Sequence, residues 1–266
     1  MKAATCLAEK KTKTEVRLTL VASQDAAPGA VGNGNVTRCR THCSTCNLRE
    51  LCLPCGLDVP ALQDLGEIVY TRRRVKRGEV LYRAGGAFDS LYAVRSGFLK
   101  SQVVLEDGRD QVTGFHMPGE VLGLDGIGTG AHTADVLALE DCEVCVIPYA
   151  RLLEPGLQRQ LHKVMSRELV RDQGVMTLLG TMRAEERLAA FLLGLSQRLA
   201  ARGYSSSEFH LRMTRDEIGS YLGLSLETVS RLFSRFQDEG HIAVQQKHIR
   251  ILDRAGLKAV MAGGAH

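Results

Sequence analysis

Five of the eight cysteines in this 266-residue chain lie within one short stretch, from Cys39 to Cys55. Cysteines two and five residues apart can turn their sulfur atoms toward one point. Four thiolates around one point form the ligand set that a zinc ion or an iron–sulfur cluster requires. The stretch therefore predicts a metal-ligating or redox-active arm around which the rest of the chain is organised.

The overall composition is that of an ordinary globular protein, with 44% hydrophobic and 24% charged residues. No apolar run approaches the length of a membrane helix, and the lysine-rich start is not followed by the apolar core of a signal peptide. We therefore expect a cytoplasmic protein with no membrane partner. Because the cytosol keeps thiols reduced, clustered cysteines there favour metal ligands or redox sensors over a disulfide framework.

The residue pattern changes several times along the chain and predicts an α+β fold. Between about residues 60 and 150, short β-rich runs alternate with glycine turns, and Asp107-Gly108 is a hairpin signal. These runs predict a small antiparallel β-roll. The predicted order is a disordered tail (1–38), the cysteine-rich arm (39–57), the β-roll (58–154), a dimerisation helix (155–183), a winged helix-turn-helix (184–258) and a flexible C-terminus (259–266).

Strand parity separates the two cysteines at the end of the predicted roll. Successive side chains of a strand alternate between its faces. If Val144 and Val146 point into the roll, Cys142 shares their side and Cys145 points the opposite way. We therefore expect Cys145, on the face that it shares with Ile147, to be the thiol that can meet an outside partner.

Pro155 opens a helical stretch with a narrow apolar stripe, which suits a helix that pairs with its own copy. Asp172 falls on that stripe. Across a two-fold axis it would approach its twin, and two carboxylates in a partly dry seam repel or take up a proton. This pattern predicts a marginal dimer whose association is the switch. In the alternative, Asp172 lies at the edge of the stripe and is solvated.

The residues from Thr214 onward predict two short helices around a glycine turn. Thr214 and Glu217 form a capping box, Gly223 allows a tight turn, and Ser225 can cap the second helix. The apolar face predicted for the second helix consists of Leu226, Val229, Phe233 and Phe236. This is the helix-turn-helix arrangement.

The open face of the second helix carries four polar residues at helical spacing: Glu227, Ser230, Arg231 and Ser234. Arg231 can grip guanine O6 and N7, Glu227 can accept from cytosine N4, and Ser230 can serve either base. Since a carboxylate cannot help to bind phosphate, Glu227 favours base reading over generic attraction to DNA. The alternative is an ordinary solvated face. Lys247 and Arg250, in a predicted two-stranded wing, could rest on phosphates.

A β-roll, a dimerisation helix and a C-terminal winged helix-turn-helix, in that order, resemble the cyclic-AMP receptor superfamily of bacterial regulators. The cysteine-rich arm narrows the resemblance to the fumarate and nitrate reductase regulator, its oxygen-sensing branch. The motifs that carry the resemblance lie between about residues 39 and 255. They are His42-Cys43-x-x-Cys46-x-x-x-x-x-Cys52, the Arg95-Ser-Gly run, Thr113-Gly-Phe-His, Ala184-Glu-Glu-Arg-Leu-Ala-Ala-Phe191 and Glu227-Thr-Val-Ser-Arg231.

The resemblance implies a [4Fe–4S] cluster held by Cys43, Cys46, Cys52 and the distant Cys145. It also implies that Asp172 keeps the cluster-free protein monomeric and that the cluster-loaded protein is a homodimer.

For the DNA-binding domain, the resemblance implies that Glu227, Ser230 and Arg231 read bases in double-stranded DNA. The expected site is a TTGAT-N4-ATCAA-like palindrome, with RNA polymerase as a further partner. The expected function is oxygen-responsive control of anaerobic genes, including activation, and not catalysis. The alternative class is an electron carrier or oxidoreductase with an attached binding module. Against it, the sequence has no dinucleotide-binding glycine loop after a strand, no acid–base pair at a telling spacing and no second cluster motif.

Two other interpretations of the arm remain open. A zinc site using Cys43, Cys46, Cys52 and Cys55 would be structural and would leave Cys145 without a role. A thiol switch could form disulfides within the arm. In the cluster interpretation, Cys55 and Cys142 stay outside the site.

The resemblance also carries a departure that bears on ligands. Cyclic-nucleotide binders of the superfamily have an Arg-Ser/Thr-Ala segment for the phosphate, whereas this chain reads Ala131-His-Thr-Ala-Asp135. Without that arginine the phosphate loses its charged partner. We therefore expect no dependence on a cyclic nucleotide.

Overall fold

The computed structural model describes residues 36–38, 43–68, 71–154 and 157–263. Cys6, Cys39 and Pro155 lie outside these ranges, as does the predicted tail apart from residues 36–38. Those three residues form a strand that pairs with residues 71–73, so the disorder predicted up to residue 38 is wrong at its last three positions. The strand is stabilised by a pairing partner distant in sequence, which composition does not reveal.

The roll consists of antiparallel strands in two sheets, as the sequence predicts. Its strands are β1 (Val36–Arg38), β2 (Thr71–Val75), β3 (Val80–Tyr82), β4 (Ser90–Ser96), β5 (Leu99–Val104), β6 (Asp110–His116), β7 (Val121–Leu122), β8 (Asp135–Ala138) and β9 (Cys142–Pro148). Their order is β1-β2-β9-β4-β7 in one sheet and β3-β8-β5-β6 in the other. The predicted hairpin joins β5 to β6. Gly108 takes a φ of 80° there, and the Asp107 carboxylate accepts from the Arg109 amide.

A helix precedes the main strands of the roll, where the sequence predicted only strands from about residue 60. Helix α1 (Val59–Ile68) buries Leu62, Leu65 and Ile68. These side chains recur every three residues, a spacing that suits one helical face, and they pack beside the arm. A 3-10 turn, Cys43–Thr45, begins the described part of the arm and contacts α1.

The remaining elements connect the roll to a C-terminal winged helix-turn-helix. They are α2 (Tyr149–Leu152), α3 (Gln158–Thr181), α4 (Ala184–Ala200), β10 (Glu208–His210), α5 (Arg215–Leu222), α6 (Leu226–Asp238), β11 (Ile242–Gln245), β12 (His248–Ile251) and α7 (Arg254–Met261). Strands β11 and β12 form the predicted wing, and β10 adds a third strand beside β12.

The flexible C-terminus predicted from residue 259 is wrong at its beginning, because α7 extends to Met261. Asp253 caps this helix by accepting from the Gly256 amide. Leu257 is buried, and Val260 and Met261 pack against the same core at helical spacing.

One hydrophobic core is shared between the roll and the DNA-binding domain. Phe98, Val112 and Phe115 of the roll pack with side chains of α4, α5 and α6. A second core lies between the arm, α1, the outer face of β9 and the start of α3. In the described part of the chain, no helix is long and apolar enough to cross a membrane.

Candidate metal centre and nucleic-acid interface

Cys145 lies in the middle of β9, on the face that parity predicts. Its cross-strand neighbours are Arg72 on β2 and Ala93 on β4, and it is 8% exposed. Cys142 points into the roll, where its thiol donates to the carbonyl oxygens of Phe98 at 3.2 Å and Glu140 at 3.1 Å. The two thiols therefore face different environments.

The arm folds over the outer face of β9 in a series of turns. The amide of Cys46 donates to the Cys43 carbonyl, and the amide of Cys52 donates to the Leu48 carbonyl. The buried side chains of Leu48 and Leu53 anchor these turns. The path of the arm thus turns three of its thiols toward the roll.

Four cysteines line one cavity between the arm and the roll: Cys43, Cys46, Cys52 and Cys145. The other lining residues are mostly apolar, and they include Leu53, Leu65 and Ile147. Cys55 and Cys142 are not among them. The structure therefore gathers the four predicted ligands and leaves out the two cysteines that were predicted to lie outside the site.

Burial favours the protonated thiols of Cys43, Cys52 and Cys145 in the metal-free chain. Burial, with further contributions from the Cys145 and Cys46 thiolates, raises the pKa of Cys43 to about 11. Burial likewise raises the pKa of Cys52 to about 12 and also raises the pKa of Cys145. A bound metal group must displace these protons, because the thiolate is the ligand.

Arg72 and Arg95 bring positive charge close to the thiols of Cys43 and Cys145, and sequence reasoning missed this role. Arg95 donates from Nη1 to Cys46 Sγ at 3.8 Å, and its Nε lies 3.2 Å from Glu143 Oε2. Arg72 lies 3.6 Å from the same carboxylate oxygen. Both arginines favour the thiolate forms of Cys43 and Cys145, against the effect of burial.

The positions of these arginines follow from the sheet. Arg95 sits where the register between β4 and β9 shifts, and such a bulge re-aims a side chain. The Arg95-Ser-Gly motif was the available signal for it. Arg72 has no such signal, since its place opposite Cys145 depends on the pairing of β2 with β9.

The residues present fit an iron–sulfur cluster in their chemistry. Cysteine thiolates are the usual protein ligands of such clusters, and the four thiols here have two guanidinium groups nearby. In the described residues, no three histidine, cysteine or carboxylate side chains form a group that could hold a single metal ion. The thiols surround the cavity instead.

Helix α3 exposes an apolar stripe along its middle. Leu169 is 61% exposed and Met176 is 63% exposed. Asp172, also exposed, lies between them at helical spacing. The stripe is thus open to a partner, and its central carboxylate is on the same face.

The helix-turn-helix forms as the sequence predicts. Thr214 Oγ1 accepts from the Glu217 amide at 3.1 Å, and the Glu217 carboxylate accepts from the Thr214 amide at 2.7 Å. A Cβ added to Gly219 would lie 2.6 Å from the Leu224 carbonyl oxygen, so the turn into α6 passes too close for a side chain. Ser225 caps α6 by accepting from the Thr228 amide.

The outer face of α6 is polar and exposed. It presents Glu227, Ser230, Arg231 and Ser234 to solvent. Hydrogen bonds with its own amide and with Ser225 lower the pKa of Glu227, so this carboxylate is an acceptor at neutral pH. Arg235, one turn after Arg231, instead forms ion pairs with Glu185 and Glu239, with a nitrogen–oxygen distance of 2.7 Å in each.

The expectation that Leu226 is buried is wrong. This side chain is 43% exposed, because the first turn of α6 projects beyond the core.

The segment that lacks the phosphate-binding arginine turns inward. The ring of His132 is buried and stacks on Tyr82 with 3.7 Å between ring centroids. Its Nδ1 lies 3.4 Å from the Asp125 carboxylate. An aromatic pair and a carboxylate therefore occupy this part of the roll.

Two domain families match the chain. A Crp-like helix-turn-helix domain matches residues 186–260, and a cyclic nucleotide-binding domain matches residues 72–155. The two matched ranges correspond to the winged domain and the roll.

Similar proteins include several named transcriptional regulators. The transcriptional regulatory protein btr of Bordetella pertussis is 50% identical over 83% of this chain and 93% of its own length. The transcriptional activator protein Anr of Pseudomonas protegens is 49% identical over 85% of this chain and 94% of its own length. The fumarate nitrate reduction regulatory protein of Klebsiella oxytoca is 44% identical over 85% of this chain and 92% of its own length. Among solved structures, FixK2 from Bradyrhizobium japonicum aligns with a TM-score of 0.66 at 31% identity, covering 71% of this chain and 96% of its own.

Proposed function

The chain belongs to the Crp/FNR family of DNA-binding transcription regulators, and from that membership we propose that it controls transcription in response to oxygen. The proposed sensor is a [4Fe–4S] cluster held by Cys43, Cys46, Cys52 and Cys145. The observation that carries the proposal is the single cavity lined by all four thiols, three from the arm and one from the roll.

The ligand set favours a cluster over the two alternatives. A zinc site made by the arm alone would use Cys55, which does not line the cavity, and would leave Cys145 unused. A thiol switch within the arm gives Cys145 no role either. The positive charges of Arg72 and Arg95 offset the thiolate charge that a cluster concentrates in one place.

A bound cluster would supply iron–thiolate bonds that tie the arm to the roll, and an iron–sulfide core from which oxygen can take electrons. While Cys145 and the three arm thiolates are joined, the arm stays fixed on β9, beside the start of α3. That position favours pairing of α3 with its copy despite the approach of the two Asp172 carboxylates. Once the thiols are released, this repulsion separates the protomers. A coupling of a few kcal/mol suffices when the seam is marginal.

The paired protein presents two α6 helices to successive major grooves, about one DNA turn or roughly 34 Å apart. Arg231 and Glu227 then read a TTGAT-N4-ATCAA-like palindrome, with Ser230 between them on the helix face. RNA polymerase, recruited at the promoter, is the further partner. The segment from Ala131 to Asp135 offers a cyclic nucleotide no arginine for its phosphate, and the buried Tyr82–His132 stack lies in this part of the roll. We therefore expect a response that does not depend on cyclic nucleotides.

Two cysteine variants of the full chain, prepared without oxygen, test the ligand assignment. Cys145→Ser should lose iron, sulfide and palindrome binding together. Cys55→Ser, which alters a neighbouring thiol outside the cavity, should keep all three. If Cys145→Ser retains iron and sulfide while Cys55→Ser loses them, the assignment is wrong.

A further inference from the structure

The arm rests directly on the backbone of the roll next to one buried carboxylate. Leu51, the residue before Cys52, covers Gly119, where an added Cβ would lie 2.8 Å from the Leu51 Cβ. Gly119 has a φ of 91°, a conformation that disfavours other residues. The adjacent residue is Glu120. A displacement of the arm therefore changes the packing immediately beside this carboxylate.

Three guanidinium groups converge on Glu120. Its carboxylate oxygens lie 3.0 Å from Arg171 Nη1, 2.8 Å from Arg198 Nη2 and 2.7 Å from Arg202 Nη2. The Glu120 side chain is 12% exposed. Arg171 and Arg198 also donate to the Phe115 carbonyl oxygen, at 2.7 and 2.6 Å. Arg171 and Arg198 are thus each held by two groups of the roll, the Glu120 carboxylate and the Phe115 carbonyl.

These arginines belong to the two helices whose positions matter for DNA binding. Arg171 lies in α3, directly before Asp172, which is on the exposed stripe of that helix. Arg198 lies in α4, and Arg202 lies two residues beyond the last residue of that helix. Another arginine of α4, Arg187, donates to the Leu222 carbonyl at the end of α5 and to the Leu179 carbonyl in α3. A shift of α4 therefore carries the helix-turn-helix with it.

We propose that Glu120 is a positioning residue that transmits the state of the cysteine arm to the dimerisation helix and the DNA-binding domain, an inference that rests on the proposed function. The carboxylate lies next to the glycine that the arm covers, and it binds α3 and the α4 region at the same time. With the arm fixed, Glu120 holds both in one arrangement. With the arm released, the support at Gly119 is lost and the two helices are no longer held together through this carboxylate.

Glu120→Gln tests this proposal, because glutamine keeps the shape and one acceptor but removes the charge. The matched control is Glu168→Gln, since Glu168 also contacts Arg171, at 3.4 Å, but makes no ion pair with α4. Full-length proteins are prepared without oxygen. Iron and sulfide per chain, the oligomeric state, and the affinity for the palindrome are measured before and after removal of iron.

The decisive quantity is the ratio of palindrome affinities between the iron-loaded and iron-free forms of each protein. We expect Glu120→Gln to bind iron and sulfide like the wild type but to lower this ratio by about tenfold or more, within the usual range of allosteric coupling. Glu168→Gln should keep this affinity ratio within about twofold of the wild-type ratio. A purely structural role for Glu120 would weaken both forms alike and leave the ratio unchanged, and that result would overturn the proposal.

A second variant keeps the test decisive if Glu120→Gln does not fold. Arg198→Lys keeps the positive charge but loses the fork that reaches both Glu120 oxygens and the Phe115 carbonyl. It should also lower the affinity ratio with normal iron content, and an unchanged ratio would again overturn the proposal. A wild-type chain that binds neither iron nor sulfide would contradict the proposed function, and the inference with it. Normal loading with an unchanged ratio would contradict the inference alone.

Discussion

Replacing Glu120 with glutamine should also lower the free energy of unfolding by an amount that the structure sets. Burial alone would raise the pKa of Glu120, but Arg198 and Arg171, with smaller contributions from other cationic neighbours, lower it from 4.5 to about 2. At 1.36 kcal/mol per pKa unit, this difference corresponds to about 3 kcal/mol that the ionised carboxylate contributes to stability. The carboxylate is largely buried, so solvent screening reduces this contribution little.

The pH dependence of this loss gives the assay its sign. A depressed pKa contributes fully above the unfolded-state value, near 4.5, and the contribution disappears as the pH falls toward the folded-state value, near 2. Urea unfolding of the reduced, metal-free chain should therefore show Glu120→Gln to be about 3 kcal/mol less stable than the wild type at neutral pH. The difference should narrow progressively below about pH 4.5.

Glu168→Gln provides the control with the opposite sign. Burial raises the pKa of Glu168, with Arg171 opposing the effect, so its ionised form is disfavoured in the folded chain. The neutral glutamine should therefore leave stability unchanged or increase it at neutral pH. Equal losses for the two variants, or a Glu120→Gln loss that persists undiminished in acid, would refute the reasoning.

Three further predictions concern the dimer seam, the DNA-reading helix and the wing. Asp172→Ala removes the repulsion across the seam, so it should bind the palindrome even in air, as measured by mobility shift; a variant that binds only without oxygen would contradict the role of the seam. Arg231→Ala should lower affinity for the palindrome by about 1–3 kcal/mol and relax specificity at one base pair of each half-site. Arg250→Ala should weaken binding to all sequences alike and reduce the salt dependence of binding. Both variants are measured on a panel of palindromes with single-base changes. If Arg250→Ala relaxes specificity at one base pair while Arg231→Ala weakens binding to all sequences alike, the roles of the two arginines are reversed.

The arrangement of elements could be predicted largely from local patterns. The capping box at Thr214, the turn at Gly223 and the hairpin at Gly108 are short-range signals with specific conformations, and all three form as expected. Strand parity placed Cys142 and Cys145 on opposite faces because a two-residue period leaves no other choice. Errors occurred where packing decides, as for Leu226, whose helical period fits the buried face although it lies beyond the edge of the core.

The electrostatic surroundings of the site could not be predicted in the same way. Arg72 approaches the thiols only because β2 pairs with β9, and Glu120 meets Arg171 and Arg198 across 51 and 78 positions of sequence. No local pattern encodes such distances. The four thiols were an exception, since the resemblance to a known family linked the arm to Cys145 before the structure brought them to one cavity.

The proposed mechanism depends on a four-cysteine, oxygen-labile cluster that joins the arm to the roll. Its most direct test is anaerobic purification of the full chain with a count of iron and sulfide, followed by exposure to air while absorbance and oligomeric state are recorded. We expect about four iron and four sulfide ions per chain and a dimer in the absence of oxygen. In air, the absorbance of the cluster and the dimer should both be lost. One zinc per chain without sulfide, or a dimer that persists after the cluster is gone, would contradict the account.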